Sequence, residues 1–350
     1  MSNALMVAAA RMYHLEDLSK VEIAKKLSTN RRHVAELLTS ARQEGLIRFD
    51  IFQTAAQELE KQLGERYPHM KKVIVRPGSR ITSPEQYPGL VKQLAIGASE
   101  FFETLPGSFP RKNTLNISVS GGRHVLAFAN CIANQDRHNI RIQIPALIGR
   151  GSNQSSTHIN PVVNASILWA RCGYLPGHCN YATVPPYPPA APGPKTRRAV
   201  REQLEALGRN QAISQVVRAM DDIDVVFTGI GSVHPKVTGS LRKFFSFSLL
   251  EFVATPQQLE SEGAAGSIGY CYYDKFGQGN EDWRFWLTAG HFSEHYWGVQ
   301  FYKHMVESGK FVVAFSNPFD VQPVITALRE KMFNVLIIDE YSAKKILEEA

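Results

Sequence analysis

Three glycine-rich segments carry much of the chemistry legible in this 350-residue chain. Ser120 leads into Gly121, Gly122, Arg123 and His124; Gly149, Arg150, Gly151, Ser152, Asn153 and Gln154 form a second run; Gly229, Ile230, Gly231 and Ser232 lead to His234 and Lys236. Each follows an apolar run of strand type, at 115–120, 140–144 and 224–228. Glycine leaves backbone N–H groups bare, and a helix starting after such a turn adds the positive end of its dipole, so the turn favours an anion. The same glycines would equally serve a tight strand-to-helix turn. If neighbouring strands bring the three segments together, Arg123, Arg150 and Lys236 can approach a shared anionic group while Ser232, Asn153 and Gln154 meet hydroxyls. Asp274, in Asp274-Lys275-Phe276-Gly277, either makes a plain turn or lends a carboxylate to a sugar hydroxyl.

A second chemistry lies nearer the amino end. Arg31, Arg32, His33, Glu36, Ser40 and Arg42 fall on one face of a segment whose other face carries Val34, Leu37, Leu38 and Ala41 at helical spacing. Just before it, Ser19 and Glu22 have the spacing of a capping box, and Ile23, Ala24 and Leu27 form a shorter apolar stripe. Two amphipathic helices joined at Ser28, Thr29 and Asn30 make a helix-turn-helix pattern, with Ala24 at the crossing and Val34 packed back on it. Glycine is usual in such a joint, and Ser28 in its place implies a strained turn. The polar face of the second helix, with Asn30 before it and Lys20 on the first helix, matches a segment that enters a DNA major groove. Lys20, Lys25, Lys26, Arg31 and Arg32 face a single acid, Glu22, between positions 20 and 32.

Composition permits these readings without demanding them. The formal net charge is +7, yet residues 1–50 hold eight basic and six acidic residues, so the global charge decides little. Four cysteines, at 131, 172, 179 and 271, are too few to staple the chain and are expected reduced; Cys172, His178 and Cys179 match no common zinc spacing, and no metal or cofactor is expected. No signal-peptide profile and no apolar run of membrane-spanning length is legible, which implies a cytoplasmic protein.

The elements that must position these groups alternate. A strand-like run at 46–52 precedes a helix at 54–67, stopped by Pro68, that reads as a linker. Strands at 72–76, 115–120, 140–144, 222–229, 311–315 and 334–338 alternate with helices at 123–133, 161–172 capped by Asn160, 321–331 and a last one capped by Asp339; Thr255 opens a further helix. Alternation implies a mostly parallel sheet covered on both faces, with ligands beyond the carboxyl ends of its strands. Six prolines at 184–194 form a stiff loop or part of a pocket wall. The expected organisation is an α/β chain: a helix-turn-helix domain over 1–53, the linker helix over 54–67, and a large doubly wound α/β effector domain over 68–350.

With the amino-terminal hairpin, the strand-Gly-Gly turn, Gly229-Ile-Gly-Ser232, the run Gly263-Ala-Ala-Gly-Ser-Ile268 with Tyr273-Asp-Lys-Phe-Gly277, and Asn334-Val-Leu-Ile-Ile-Asp-Glu340 in this order, the chain resembles the SorC family of bacterial sugar-responsive transcription regulators. The resemblance implies an effector domain similar in fold to sugar-phosphate isomerases and deaminases, a sugar or phosphosugar ligand, and dimers or tetramers on operator DNA. Carried over, the effector pocket takes Gly121, Gly122, Arg123 and His124, then Gly149 to Asn153, then Gly229 to Ser232, then Asp274. One departure stands out: family members often carry Gly-Gly and then a lysine after the strand at 311–315, where this chain has Ser316-Asn-Pro-Phe-Asp-Val-Gln322. The missing lysine weighs against a phosphorylated ligand and leaves an unphosphorylated sugar, a polyol or a divergent effector open, with Phe319 covering part of the site. The competing reading is an isomerase- or deaminase-like enzyme with Asp274, Glu251 or His234 as general base. No catalytic pair is identifiable by spacing, so a regulator rather than an enzyme is expected.

Overall fold

Hydrophobic patterning builds one core in the first unit and one on each face of the sheet in the second. The computed structural model describes residues 3–14, 16, 18–43, 46, 54–134, 137, 140–143, 146–147, 161–172, 198–199, 202, 206, 209, 211, 219–233, 256–283, 287–288 and 298–350. Contacts divide the chain into Met1–Gln53 and Thr54–Ala350.

The first unit holds α1 (Asn3–His14), α2 (Lys20–Lys26) and α3 (Arg31–Gln43). The capping box closes α2 as expected: Ser19 N–H donates to Glu22 Oε2 at 2.8 Å, and Glu22 N–H donates to Ser19 Oγ at 3.3 Å. Ile23 and Ala24 meet Val34, Leu37, Leu38 and Ala41 in one buried cluster. The pattern of the sequence leaves out α1, whose Met6, Ala9 and Ala10 complete that cluster. Its short alanine-rich stripe gives little periodic signal.

The second unit contains α4 (Thr54–Arg66), β1 (Lys72–Arg76), α5 (Tyr87–Ser108), β2 (Leu115–Val119), α6 (Arg123–Cys131), β3 (Ile140–Gln143), β4 (Ala146–Leu147) and α7 (Pro161–Arg171). It continues with β5 (Val225–Ser232), α8 (Pro256–Ser261), β6 (Ala264–Ile268), β7 (Cys271–Asp274), β8 (Leu287–Thr288), α9 (Val299–Glu307), β9 (Phe311–Phe315), α10 (Gln322–Arg329), β10 (Val335–Asp339) and α11 (Glu340–Glu349). Six strands run parallel in the order β1-β10-β9-β5-β2-β3; β6 pairs antiparallel with β5 and β7 with β6. β4 and β8 form a separate antiparallel pair.

Alternating side chains sort the sheet into two faces. Val225, Phe227, Val313, Phe315, Val335 and Ile337 share one core with α5, α6 and α7. Val226, Val312, Ala314, Leu336 and Ile338 share the other with α4, α9, α10 and α11. Helices on both faces explain why β9 and β10 read as unbroken apolar runs.

Two expectations change and one element is added. Helix α4 does not stand apart as a connector: Ala56, Leu59 and Leu63 are buried in the second core. The Gly229–Ser232 segment is not a loop, because β5 continues through it and pairs Gly231 with Ser267 and Ser232 with Gly266. A Cβ on Gly231 would lie 2.7 Å from Ser267 Oγ, so glycine there permits the close approach of β6. The 22-residue α5 is an element that the sequence pattern leaves out, although Leu90, Leu94, Ala98, Phe102 and Leu105 bury one side of it. The strand expected at 46–52, the proline-rich 184–194 segment and the caps at Asn160 and Thr255 lie outside the described residues, apart from Leu46.

Phe128 ties α6 to the sheet, its ring stacked 4.3 Å from Phe227 and edge-on 5.8 Å from Phe102. Phe128→Ala is expected to cost about 3–5 kcal/mol of stability, because it leaves a cavity in a closed aromatic cluster. Urea unfolding measures this, and a loss below about 1 kcal/mol would contradict the packing.

Candidate functional site

The order of the parallel strands fixes where a crevice opens. From β2 the chain moves outward to β3, then returns to the other side of β2 as β5 and proceeds through β9 to β10. The connections therefore leave β2 and β5 in opposite directions, the arrangement at which open α/β sheets place a crevice beyond the carboxyl ends of the strands. Both glycine segments described by the structure, Gly121-Gly122 and Gly229–Ser232, stand at those ends. Ser120 N–H donates to Phe227 O at 2.9 Å, which extends the pairing of the two strands to the lip of the gap.

Gly122 precedes α6 with φ 115°, a left-handed value that favours glycine, so the chain can turn from strand to helix in three residues. The turn is held from the side by α7: Asn164 Nδ2, fully buried, donates to Ser120 O at 3.0 Å and to Gly122 O at 3.4 Å. Arg123 and His124 then stand on the first turn of α6. The His124 ring stacks 5.9 Å from Phe315 and meets the Tyr87 ring edge-on at 5.8 Å. Burial, followed by the neighbouring Arg123 charge, pulls His124 down to about 4, so its imidazole is neutral at pH 7. Burial likewise pushes the Tyr87 hydroxyl up to about 12.

The segment after β9 completes the crevice. Phe319 lies 5.5 Å from Tyr87, its N–H donates to Asn317 Oδ1 at 2.9 Å, and Ser232 Oγ donates to Asp320 Oδ2 at 2.7 Å. Tyr87, Asn164 and Asp320 are the members that the sequence readings leave unassigned. Tyr87 and Asn164 lie on helices, far in sequence from any glycine turn. The departure at 316–322 is the one signal that points toward Asp320.

Of the residues expected in an effector pocket, the structure places Gly121, Gly122, Arg123 and His124 directly after β2, and Gly229, Gly231 and Ser232 in the last part of the adjacent β5. Gly149, Arg150, Gly151, Ser152, Asn153, Lys236, and the alternative bases His234 and Glu251 lie outside the described residues, as do His178 and Cys179. Asp274 pairs opposite Ala264, past the Gly266 that faces Ser232. Its Oδ1 accepts from Phe276 N–H and Gln278 N–H, both at 2.8 Å, which makes it a turn organiser. It also lines an open cavity of about 630 Å³ with Glu262, Lys275, Phe276 and Trp283. Among the described residues no cluster of His, Cys, Asp and Glu could hold a metal ion.

In the first unit, Ser28 adopts φ 50°, the strained turn expected from serine in a glycine position. Arg31, Arg32, Glu36 and Arg42 are exposed, while Lys20, His33 and Ser40 are half-buried. Asn30 Oδ1 accepts from His33 N–H at 2.8 Å and caps α3. Glu36 lies 3.1 Å from Arg32 and 3.6 Å from His33, so it orders the basic face. Lys20 Nζ lies 5.6 Å over the Tyr13 ring.

The Putative sugar-binding domain family matches residues 53–348. The sorbitol operon regulator of Klebsiella pneumoniae is 21% identical over 273 residues, covering 77% of each chain. Among solved structures, the full-length sorbitol operon regulator SorC from Klebsiella pneumoniae superposes with a TM-score of 0.65 at 17% identity, covering 99% of both chains. A DeoR family transcriptional regulator from Listeria monocytogenes gives a TM-score of 0.57 at 18% identity, covering 84% of this chain and all of that one. These matches bear out the SorC resemblance.

The depressed His124 sets an acid limit on stability. An unfolded histidine titrates near 6.5, so its contribution is complete above that pH and is lost as pH falls through about 4. Between pH 6.5 and 4 the wild type is expected to lose about 2–3 kcal/mol more than His124→Phe. Urea unfolding across that range checks it; parallel curves would place the imidazole in water.

Proposed function

Because the chain belongs to the sugar-binding domain family, we propose that it is a transcription regulator whose operator affinity is set by a small carbohydrate bound in the switch-point crevice. The observation that carries this reading is the joining of two unlike units in one chain: an exposed basic helix capped by Asn30, and an α/β unit whose strand order opens a polar crevice beside Gly121-Gly122. The relatives named above are regulators, one of them of a sorbitol operon, and this favours control of transcription over isomerase or deaminase turnover.

In this reading Arg31, Arg32, His33, Ser40 and Arg42 on α3, with Lys20 on α2, face operator DNA, and Asn30 and Glu36 hold that face in order. The effector is held by the Gly121–His124 turn and Ser232, with 149–153 and Lys236 contributing from the neighbouring loops. The chain acts in the cytoplasm as a homo-oligomer, a symmetric dimer at least, because a dimer engages two half-sites of a palindromic operator about one helical turn apart. Control is linkage: an effector that prefers one arrangement of the oligomer shifts operator affinity by its differential binding free energy, typically about 1–3 kcal/mol.

Arg31→Ala is expected to weaken operator binding about 10-fold and to leave the melting temperature unchanged. Arg123→Ala is expected to retain operator binding and to blunt the effector response. Fluorescence anisotropy with DNA from upstream of the protein's own operon, with and without sugars, measures both. No specific site at moderate salt would overturn the regulator reading, and an unchanged effector titration would remove Arg123 from the pocket.

A further inference from the structure

One short segment reaches both sides of the crevice. After β9 it places Phe319 against Tyr87, and through it near His124 at the start of α6, while its next residue, Asp320, receives the Ser232 hydroxyl at the end of β5. The Asp320 carboxylate is fixed at both oxygens: Oδ2 takes the Ser232 hydroxyl at 2.7 Å and Oδ1 takes Gln322 N–H at 3.2 Å. It is half-buried. Among the described residues no lysine, arginine or histidine forms an ion pair with it.

An ionised carboxylate accepts hydrogen bonds and cannot donate them. A hydroxyl of a ligand suits that acceptor, whereas a phosphate or carboxylate brought beside it meets the like charge of the carboxylate itself. Ser316 Oγ and Asn164 Oδ1, both fully buried near the carboxyl ends of the sheet, have no hydrogen-bond partner among the described residues. Among the described residues, the polar groups around the gap therefore exceed what their neighbours satisfy, as befits a ligand rich in hydroxyls.

We infer that Asp320 determines specificity: it accepts a hydroxyl at one end of a sugar or alditol and excludes an anionic group from that end. The inference rests on the crevice being the effector site. It separates the two ends of the ligand. Any single anionic group would lie at the Gly121–Arg123 turn, and a sugar phosphorylated at both ends would be rejected.

The test titrates full-length wild type and Asp320→Asn with D-sorbitol, D-sorbitol 6-phosphate and D-fructose 1,6-bisphosphate by calorimetry, with melting temperatures recorded alongside. Asparagine keeps an Oδ1 acceptor for Gln322, and Asp320→Ser serves as a second variant should the first misfold. The expected result is that sorbitol or its monophosphate binds wild type at millimolar concentration or below and binds the variant about 10-fold more weakly at unchanged melting temperature, while the bisphosphate gains about 10-fold. A ligand held equally by both proteins, or a wild type that prefers the bisphosphate, overturns the role of Asp320 and leaves the proposed function standing. Binding of none of the three by either protein overturns both.

Discussion

The reversal of strand order between β2 and β5 is the constraint on which the second unit depends. Two adjacent parallel strands whose connections depart in opposite directions cannot have their carboxyl ends covered by the same crossover, so polar backbone is left facing an open gap. Around that gap the sheet is rigid: Ser120 is tied to Phe227, Asn164 holds the carbonyls of Ser120 and Gly122, and Phe128 wedges α6 against β5. A rigid frame with an open polar edge is what a reversible ligand requires, since ordering costs are met in folding and not at binding.

The electrostatics of the gap are divided. Helix α6 presents its positive end and Arg123 at the Gly121-Gly122 turn, and the neutral His124 adds no charge of its own. On the other side Asp320 contributes a negative charge beside Ser232. The aromatic rings of Tyr87, Phe319 and Phe315 lie between, and the His124 ring packs against Phe315 and Tyr87 on that wall. Such a polarised site, with an apolar wall between its poles, fits a carbon chain bearing hydroxyls better than a compact inorganic anion.

Much of the scaffold is legible in the sequence because one physical signal governs it. β1 and β9 are read to the residue, and β10 begins one residue later than expected, after Asn334, whose side chain bonds Val312 N–H and Lys310 O in addition to its own backbone bonds to the neighbouring strands. The capping box of α2 and the Asp339 cap of α11 are local chemistry and are equally plain. What escapes is set by tertiary context. α5 carries Gly89, Gly97 against Arg76 and Pro106 inside its last turn, residues that argue against a long helix until the sheet it covers is known. The continuation of β5 through two glycines depends on the β6–β7 hairpin, which has no strong strand propensity in Ala264–Ile268. For the site, the glycine turns announce themselves, whereas Tyr87 and Asn164 are assigned only by the packing of α5 and α7.

A crystal structure of the full-length protein with the sugar that shifts its operator affinity tests the central claim most directly. The account predicts ligand density between the Gly121–His124 turn and Ser232, bounded by Phe319 and Asp320. Density instead in the cavity lined by Asp274 and Trp283, with the switch-point crevice closed, would contradict it.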